Sequence, residues 1–253
     1  MDQWSGRDLA DEATGELRTE APDILAPIDE DAPISGHRAP PEPPVSGADA
    51  PEHDWSAAKD RLFPLLRPAG TEGIAVEEAR SISLADSLAN TQPLINKGPV
   101  GLTIAYGLAA DGFAVLVNAE HLLSWGVEGG ALHEAAMMNL AAWSAQAEWI
   151  DEKTVERRLL SSSTGDGYDA ARILLLEVRE RIASLSSDAP AGTRILVGLP
   201  ERDMLVAGPL LPGDEEFAAL FGEFLGEQHD AAVAPITNAV FELRGTELVA
   251  FPG

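Results

Sequence analysis

The chain has 253 residues, with 42 acidic against 17 basic side chains and no cysteine. The missing cysteine excludes disulfides and cysteine-based zinc sites, and the net charge of −25 disfavours a nucleic-acid partner because phosphates would repel it. No apolar run reaches the roughly 18 residues that a membrane span needs, and no secretory signal opens the sequence. We therefore predict a cytoplasmic protein without membrane insertion.

Residues 1–55 differ in composition from the rest. They hold 8 of the 18 prolines and 14 acidic side chains against 3 arginines. Apolar residues are scattered without a period, so this stretch cannot bury enough surface to offset the entropy of ordering it. We predict a disordered acidic leader, which either solvates the chain or serves as an interaction arm. Residues 56–253 are then the folded part, either one α+β domain or two small lobes.

Helical periodicity predicts four helices. Their ranges are 56–66 with an interruption at Pro64, then 129–146, 168–185 and 214–228. Asp214 suits the N-cap of the last helix, because its carboxylate can accept from a free backbone N–H in the first turn.

Alternating apolar residues between the helices predict strands. Residues 100–106 and 113–117 flank Asp111 and Gly112 and are typical of a hairpin, while residues 153–160 alternate more weakly. Two more hairpins are predicted around turns at residues 200–203 and 244–246. The pattern favours an α+β fold, a mainly antiparallel sheet of hairpins packed with three to four helices.

Residues 165–170 match the pattern G-x-G-x-x-A, a variant of the dinucleotide fingerprint. Asp166 and Asp169 would place two carboxylates where the phosphates should sit, which disfavours nucleotide binding. We prefer a structural interpretation, in which Asp166 caps the following helix and Asp169 lies in its first turn.

Four polar residues admit both a structural and a binding role. Arg172 can reach Asp169 as a surface ion pair, which we favour, or it can bind an anion. Arg202 and Asp203 at the tip of a hairpin favour turn chemistry over a ligand contact. Asn139 lies on the apolar face of its helix, so its amide needs a partner; a loop backbone is favoured over a pocket.

Recognisable catalytic patterns are absent from the sequence. It contains neither G-x-S-x-G nor a P-loop, and its histidines do not cluster at metal-ligand spacing. We predict no catalytic residues, no metal and no cofactor.

Six segments in order resemble the YtpQ-like family of bacterial proteins, whose function is unknown. The segments are residues 63–68, 102–106, 117–127, 136–140, 165–175 and 199–205, and the resemblance covers about residues 60–253. Glu201 stands where that family more often has asparagine. The resemblance implies no catalytic residues, and it singles out as ligand or interaction candidates Asn139, Asp166, Asp169, Arg172, Arg202 and Asp203.

Two functions follow as hypotheses. The favoured one is a non-catalytic protein that binds another protein, with the acidic leader as a flexible arm. The alternative is an enzyme or small-ligand binder that acts on an anionic compound near the 165–172 helix start. In that case Arg172 and Arg202 would bind the anion, so both should converge on one cleft.

Overall fold

The computed structural model of this chain describes residues 54–79, 91–110, 113–154 and 157–252. The predicted disordered leader lies outside the described residues except for its last two positions, and so does the turn predicted at Asp111 and Gly112. The described residues belong to one compact unit. Within them, no helix is both long enough and apolar enough to cross a bilayer.

The first sheet is centred on its longest strand, β4. Its strands are β1 (Leu62–Arg67), β2 (Ile74–Ala75), β3 (Leu94–Lys97), β4 (Thr103–Ala110) and β5 (Phe113–Leu116). On one side β4 pairs antiparallel with β1, and on the other side with β3 and then β5. The predicted hairpin is thus confirmed as β4–β5, although β4 begins only at Thr103 and runs on to Ala110, and its residues Gly107–Ala110 are the ones that pair with β5. It begins late because Pro99–Gly101 form a short 3₁₀ turn.

The second sheet is antiparallel throughout. Its strands are β6 (Ile150–Lys153), β7 (Arg158–Ser162), β8 (Arg194–Gly198), β9 (Leu205–Leu210), β10 (Val240–Arg244) and β11 (Glu247–Ala250). They lie in the order β11-β10-β8-β9-β7-β6. The hairpins predicted around residues 200–203 and 244–246 are confirmed as β8–β9 and β10–β11. The single strand predicted over residues 153–160 is wrong, because the weak alternation there spans the β6–β7 hairpin.

The described part of the chain contains five α-helices. They are α1 (Trp55–Ala58), α2 (Ala119–Trp125), α3 (Gly129–Ser144), α4 (Leu176–Ala183) and α5 (Glu215–Ala231). The predictions of α3 and α5 are confirmed, and Asp214 caps α5 by accepting from the backbone N–H of Phe217. Helix α2 was not predicted; Asn118 and His121 form its capping box. With two mainly antiparallel sheets, the α+β class is confirmed.

The helix predicted over residues 56–66 is wrong beyond Arg61, where β1 begins. Leu62 and Leu66 are buried on one face of β1, and Phe63 and Leu65 on the other. A strand buried on both faces has no alternation that would distinguish it from a helix. Pro64 is tolerated because β1 lies at the edge of the described sheet.

The helix predicted over residues 168–185 is broken in two. Ala170–Leu174 form a 3₁₀ segment, Leu175 takes an extended conformation, and α4 begins at Leu176. The first part is held by its surroundings, because the Ala170 N–H donates to the carbonyl of Arg202 at 3.1 Å. Tertiary contacts therefore override the helical periodicity here.

One large apolar cluster joins both sheets to the helices. It includes Leu62 and Tyr106 from the first sheet, Val197 and Phe241 from the second, and Leu140 from α3. A smaller cluster lies on the other face of the second sheet, where α5 packs its aromatic residues. With the two clusters packed in this way, the turn between β8 and β9 lies next to the loop that follows β7.

Candidate functional site

The loop after β7, residues 163–169, is the centre of the candidate site. Gly165 and Gly167 have φ values of 72° and 88°, a left-handed conformation that glycine adopts without strain. These turns bend the chain so that Asp166 and Asp169 both face Arg172, rather than pointing along a helix axis.

Asp169 is completely buried and fully hydrogen-bonded. Its carboxylate accepts from the Ser162 hydroxyl at 2.5 Å, from the Thr164 N–H at 2.9 Å and from the Gly165 N–H at 3.2 Å. A buried carboxylate needs such donors as well as a counter-charge to offset its lost hydration. Asp169 is therefore an internal anchor for the loop, and not the solvated first-turn residue that the sequence favoured.

Arg172 supplies that counter-charge from a completely buried position. Its Nη1 lies 2.5 Å from Asp169 Oδ1, and its Nη2 donates to Asp166 Oδ2. The predicted pairing with Asp169 is thus confirmed, but its predicted place on the surface is wrong. Arginine on a helix is usually solvated, and here two carboxylates from the preceding loop keep it in the interior.

Asp166 connects the loop to α3. Besides Arg172 it accepts from the Tyr168 N–H at 2.9 Å and from Trp143 Nε1 at 2.8 Å. Burial opposes its ionisation, but the hydrogen bonds and the charge of Arg172 outweigh this and hold the pKa of Asp166 below its ordinary value. The predicted role as a helix cap is wrong, because no helix begins at Tyr168.

The turn between β8 and β9 is attached to the same loop. Asp203 Oδ1 accepts from the Gly167 N–H at 2.6 Å, and its other oxygen lies 3.2 Å from Arg202 Nη2. The turn chemistry predicted for this pair therefore includes a partner 36 residues away. The structure thus brings together five of the six candidates, namely Asp166, Asp169, Arg172, Arg202 and Asp203.

Asn139 lies apart from this group. Its Nδ2 donates to the carbonyl oxygens of Lys59 at 2.7 Å and of Leu62 at 2.9 Å. These contacts fasten α3 to the start of β1, which is the backbone role that the sequence favoured.

An aromatic stack joins the loop to the first sheet. Tyr168 lies almost parallel to Phe63 of β1, with 4.4 Å between ring centroids, and Trp143 meets Phe63 edge-on at 6.2 Å. Burial and the charge of Asp166 raise the pKa of Tyr168, while Arg202 opposes that rise. The stack fixes Tyr168 as one wall of a neighbouring cavity.

That cavity, which we call the arginine cavity, has a volume of about 500 Å³. It lies between the first sheet and the loop, and its lining residues are Leu65, Arg67, Ala109, Ala114, Leu116, Gly165, Asp166, Gly167, Tyr168 and Arg202. Arg67 and Tyr168 were not among the predicted site residues. Assigning β1 as a strand would have suggested Arg67, because it shares a strand face with Phe63 and Leu65.

The arginine cavity concentrates positive charge in a strongly acidic chain. Arg67 makes no hydrogen bond or ion pair with any residue that the structure describes. Burial and the positive charge of Arg202 lower the pKa of Arg67. The Arg202 side chain is 48% exposed, and among the described residues it meets a carboxylate only through the 3.2 Å contact with Asp203. The two guanidinium groups are therefore incompletely neutralised.

Arg172 does not line the arginine cavity. It lines a second cavity of about 530 Å³, together with Trp143, Gln146 and Ser163. The expected convergence of Arg172 and Arg202 on one cleft is thus wrong, because Arg172 is committed to two carboxylates. Asp166 separates the two cavities and lines both.

Among the described residues, no group of three histidine or acidic side chains could hold a metal ion. Comparison with known proteins found no matching family model, no matching curated protein and no matching solved structure.

Proposed function

We propose that this protein binds a small anionic compound in the arginine cavity, without catalysing a reaction on it. The observation that supports this proposal is the pair Arg67 and Arg202, which line one cavity while Arg67 has no acidic partner in the described chain. Two like charges in one partly buried space repel each other, and an anion between them would remove that repulsion. Hydrogen bonds from guanidinium to carboxylate or phosphate are also among the stronger ones in proteins.

The proposal keeps the anionic ligand of the sequence-based alternative and changes the residues that bind it. Arg67 takes the place of Arg172, whose Nη1 and Nη2 already donate to Asp169 and Asp166. The cavity volume lies within the range of about 300–1,000 Å³ that small-molecule sites occupy.

A thermal-shift screen of anionic metabolites at constant ionic strength tests this proposal, with affinities then measured by calorimetry. We expect at least one anion to raise the melting temperature, since a ligand stabilises the state that binds it. Arg67→Gln and Arg202→Gln should each weaken its binding about tenfold, which corresponds to one charged hydrogen bond of about 1.4 kcal/mol.

Arg244→Gln is the matched control, because Arg244 is an exposed arginine on β10 that does not line the cavity. It should leave the affinity unchanged. Equal weakening by all three substitutions would indicate a non-specific charge effect and contradict the proposal, as would the absence of any stabilising anion.

A second candidate function, binding of another protein, is supported by the outer face of α3. Met138 is 65% exposed and Trp143 53% exposed, and Ala141 and Ala142 beside them are exposed as well. Over its 16 residues this helix carries one formal charge, on Glu134. A surface helix ordinarily presents a polar outer face, and exposed apolar patches mark sites of protein interaction.

The charge-introducing variant Met138→Glu tests this second function in full-length protein used as bait. A partner that binds through α3 should be captured by the wild type and lost by Met138→Glu. Leu220→Glu on α5 is the matched control, since Leu220 is 41% exposed on another helix. A partner retained by all three proteins would contradict binding through α3.

Two further proposals rest on the sequence. The ordered series of motifs supports membership of the YtpQ-like bacterial family. The acidic composition supports a function without nucleic-acid partners, for which we propose a cytoplasmic location.

A further inference from the structure

We infer that the ligand of the arginine cavity is an amphipathic anion, with a carboxylate or phosphate head group at Arg67 and Arg202 and a short apolar body on the sheet. This inference rests on the proposed function and adds the chemical class of the ligand. Three observations support it. They are the apolar residues on the sheet side of the cavity, which we call its floor, the exposure of that floor to solvent, and the hydrogen bonds of residues 163–169, which we call the glycine loop.

The floor of the cavity is an apolar patch on one face of the first sheet. Leu65 comes from β1, while Ala109 of β4 is paired directly with Ala114 of β5. Leu116 is paired with Gly107 in the same ladder. Directly paired residues of an antiparallel ladder share a face, so these apolar residues form one continuous surface.

The small side chains of Ala109 and Ala114 keep the cavity open. At Gly107, which does not line the cavity, Leu65 already fills the space over the strand, since an added Cβ would lie 3.0 Å from Leu65 Cδ1. Alanine at positions 109 and 114 leaves the space above the sheet unfilled by the protein itself. Ala114 is exposed and Leu116 is 38% exposed, so part of this apolar floor faces solvent. A ligand with an apolar body would remove that surface from water, whereas a purely polar anion would not.

The two glycine N–H groups of the loop are not available to hold the head group. The Gly165 N–H already donates to Asp169, and the Gly167 N–H donates to Asp203. A loop that cradles phosphates needs these groups free and directed at the ligand. The head group is therefore recognised by guanidinium side chains, which separates this site from the dinucleotide site that the glycine pattern resembles.

The experiment measures affinity along a series of ligands that share one head group. Inorganic phosphate and methyl, butyl and hexyl phosphate are titrated calorimetrically into full-length protein at constant ionic strength, and hexanoate is added to compare head groups. We expect the dissociation constant to fall about fourfold for each added methylene, because each buried CH₂ contributes about 0.8 kcal/mol.

Two variants separate the floor from the arginines. Ala114→Leu fills the floor from an exposed strand position, and Leu116→Gln makes it polar without enlarging it. Both should abolish the gain with chain length and leave the affinity for inorganic phosphate within about twofold. Retained phosphate binding also shows that each variant is folded.

The possible outcomes separate the amphipathic ligand from the proposed function, anion binding in the arginine cavity. Phosphate binding with the same affinity for every alkyl chain would overturn the inference and leave the proposed function standing. A gain with chain length that persists in both floor variants would also overturn it, since the apolar body would then lie elsewhere. Failure of every anion to bind would contradict the proposed function itself.

Discussion

Replacing Arg172 with methionine should lower the free energy of unfolding by about 3–5 kcal/mol. The substitution keeps a long apolar side chain in the core, but it leaves Asp169 fully buried without its cation and removes a donor from Asp166. A buried charge that loses its partner keeps the cost of desolvation and loses the attraction that offset it. Urea unfolding at neutral pH measures the difference.

Arg157→Gln provides the control for this prediction. Arg157 Nη2 lies 3.5 Å from Glu216 Oε2, and the Glu216 side chain is 78% exposed. Loss of this ion pair should therefore lower the free energy of unfolding by at most about 1 kcal/mol. The double variant Arg172→Met with Asp169→Asn should be less destabilised than the sum of the two single variants, because the two side chains act as one pair. A cost below 1 kcal/mol for Arg172→Met would show that the pair does not hold the loop.

The second large effect is expected at alkaline pH and concerns Tyr106. Its side chain is completely buried, and burial raises its pKa to about 12, although the hydrogen bond from Asn96 opposes this rise. Between pH 10 and 12 the unfolded chain has lost the phenolic proton while the native chain keeps it. Stability therefore falls with rising pH in this window, by up to about 1.4 kcal/mol per pH unit.

Tyr106→Phe isolates this contribution, because Tyr168 and all other titrating groups remain. At neutral pH the variant should be less stable than the wild type, because Asn96 and His133 lose the hydroxyl group that they share as a hydrogen-bond partner. Its stability should then fall less steeply than that of the wild type between pH 10 and 11.5. Parallel curves for the two proteins in urea unfolding would refute the assigned role of Tyr106.

The structure also explains which sequence signals were reliable. Helices α3 and α5 were predicted because their buried residues recur every fourth position, in α3 from Leu132 to Leu140 and in α5 from Phe217 to Leu225. The hairpins were predicted because turn residues separate short alternating runs. These signals are local: they depend on neighbouring residues of the chain and on which face meets any apolar surface.

Other features had no local signal. β1 is buried on both faces, so its apolar residues were indistinguishable from part of a helix. Residues 168–175 have helical periodicity, yet a hydrogen bond from the Ala170 N–H to the distant Arg202 carbonyl holds a 3₁₀ segment there, and the chain is extended at Leu175. The candidate site depends on the same kind of contact, because Arg67 and Arg202 are 135 positions apart in sequence and line one cavity.

The amino-acid order alone thus established the α+β class and the main hairpins, and it singled out six polar residues, of which the structure brings five together. Whether a charge in that group is buried or free was decided by the packing of the two sheets around the glycine loop. The physical reason is that the energy of a charge depends on its distance from water and from opposite charges. The distance from water is set by residues far away in the chain, which is why Arg172 lies in the interior with carboxylates only three and six positions away, while Arg67 faces a cavity.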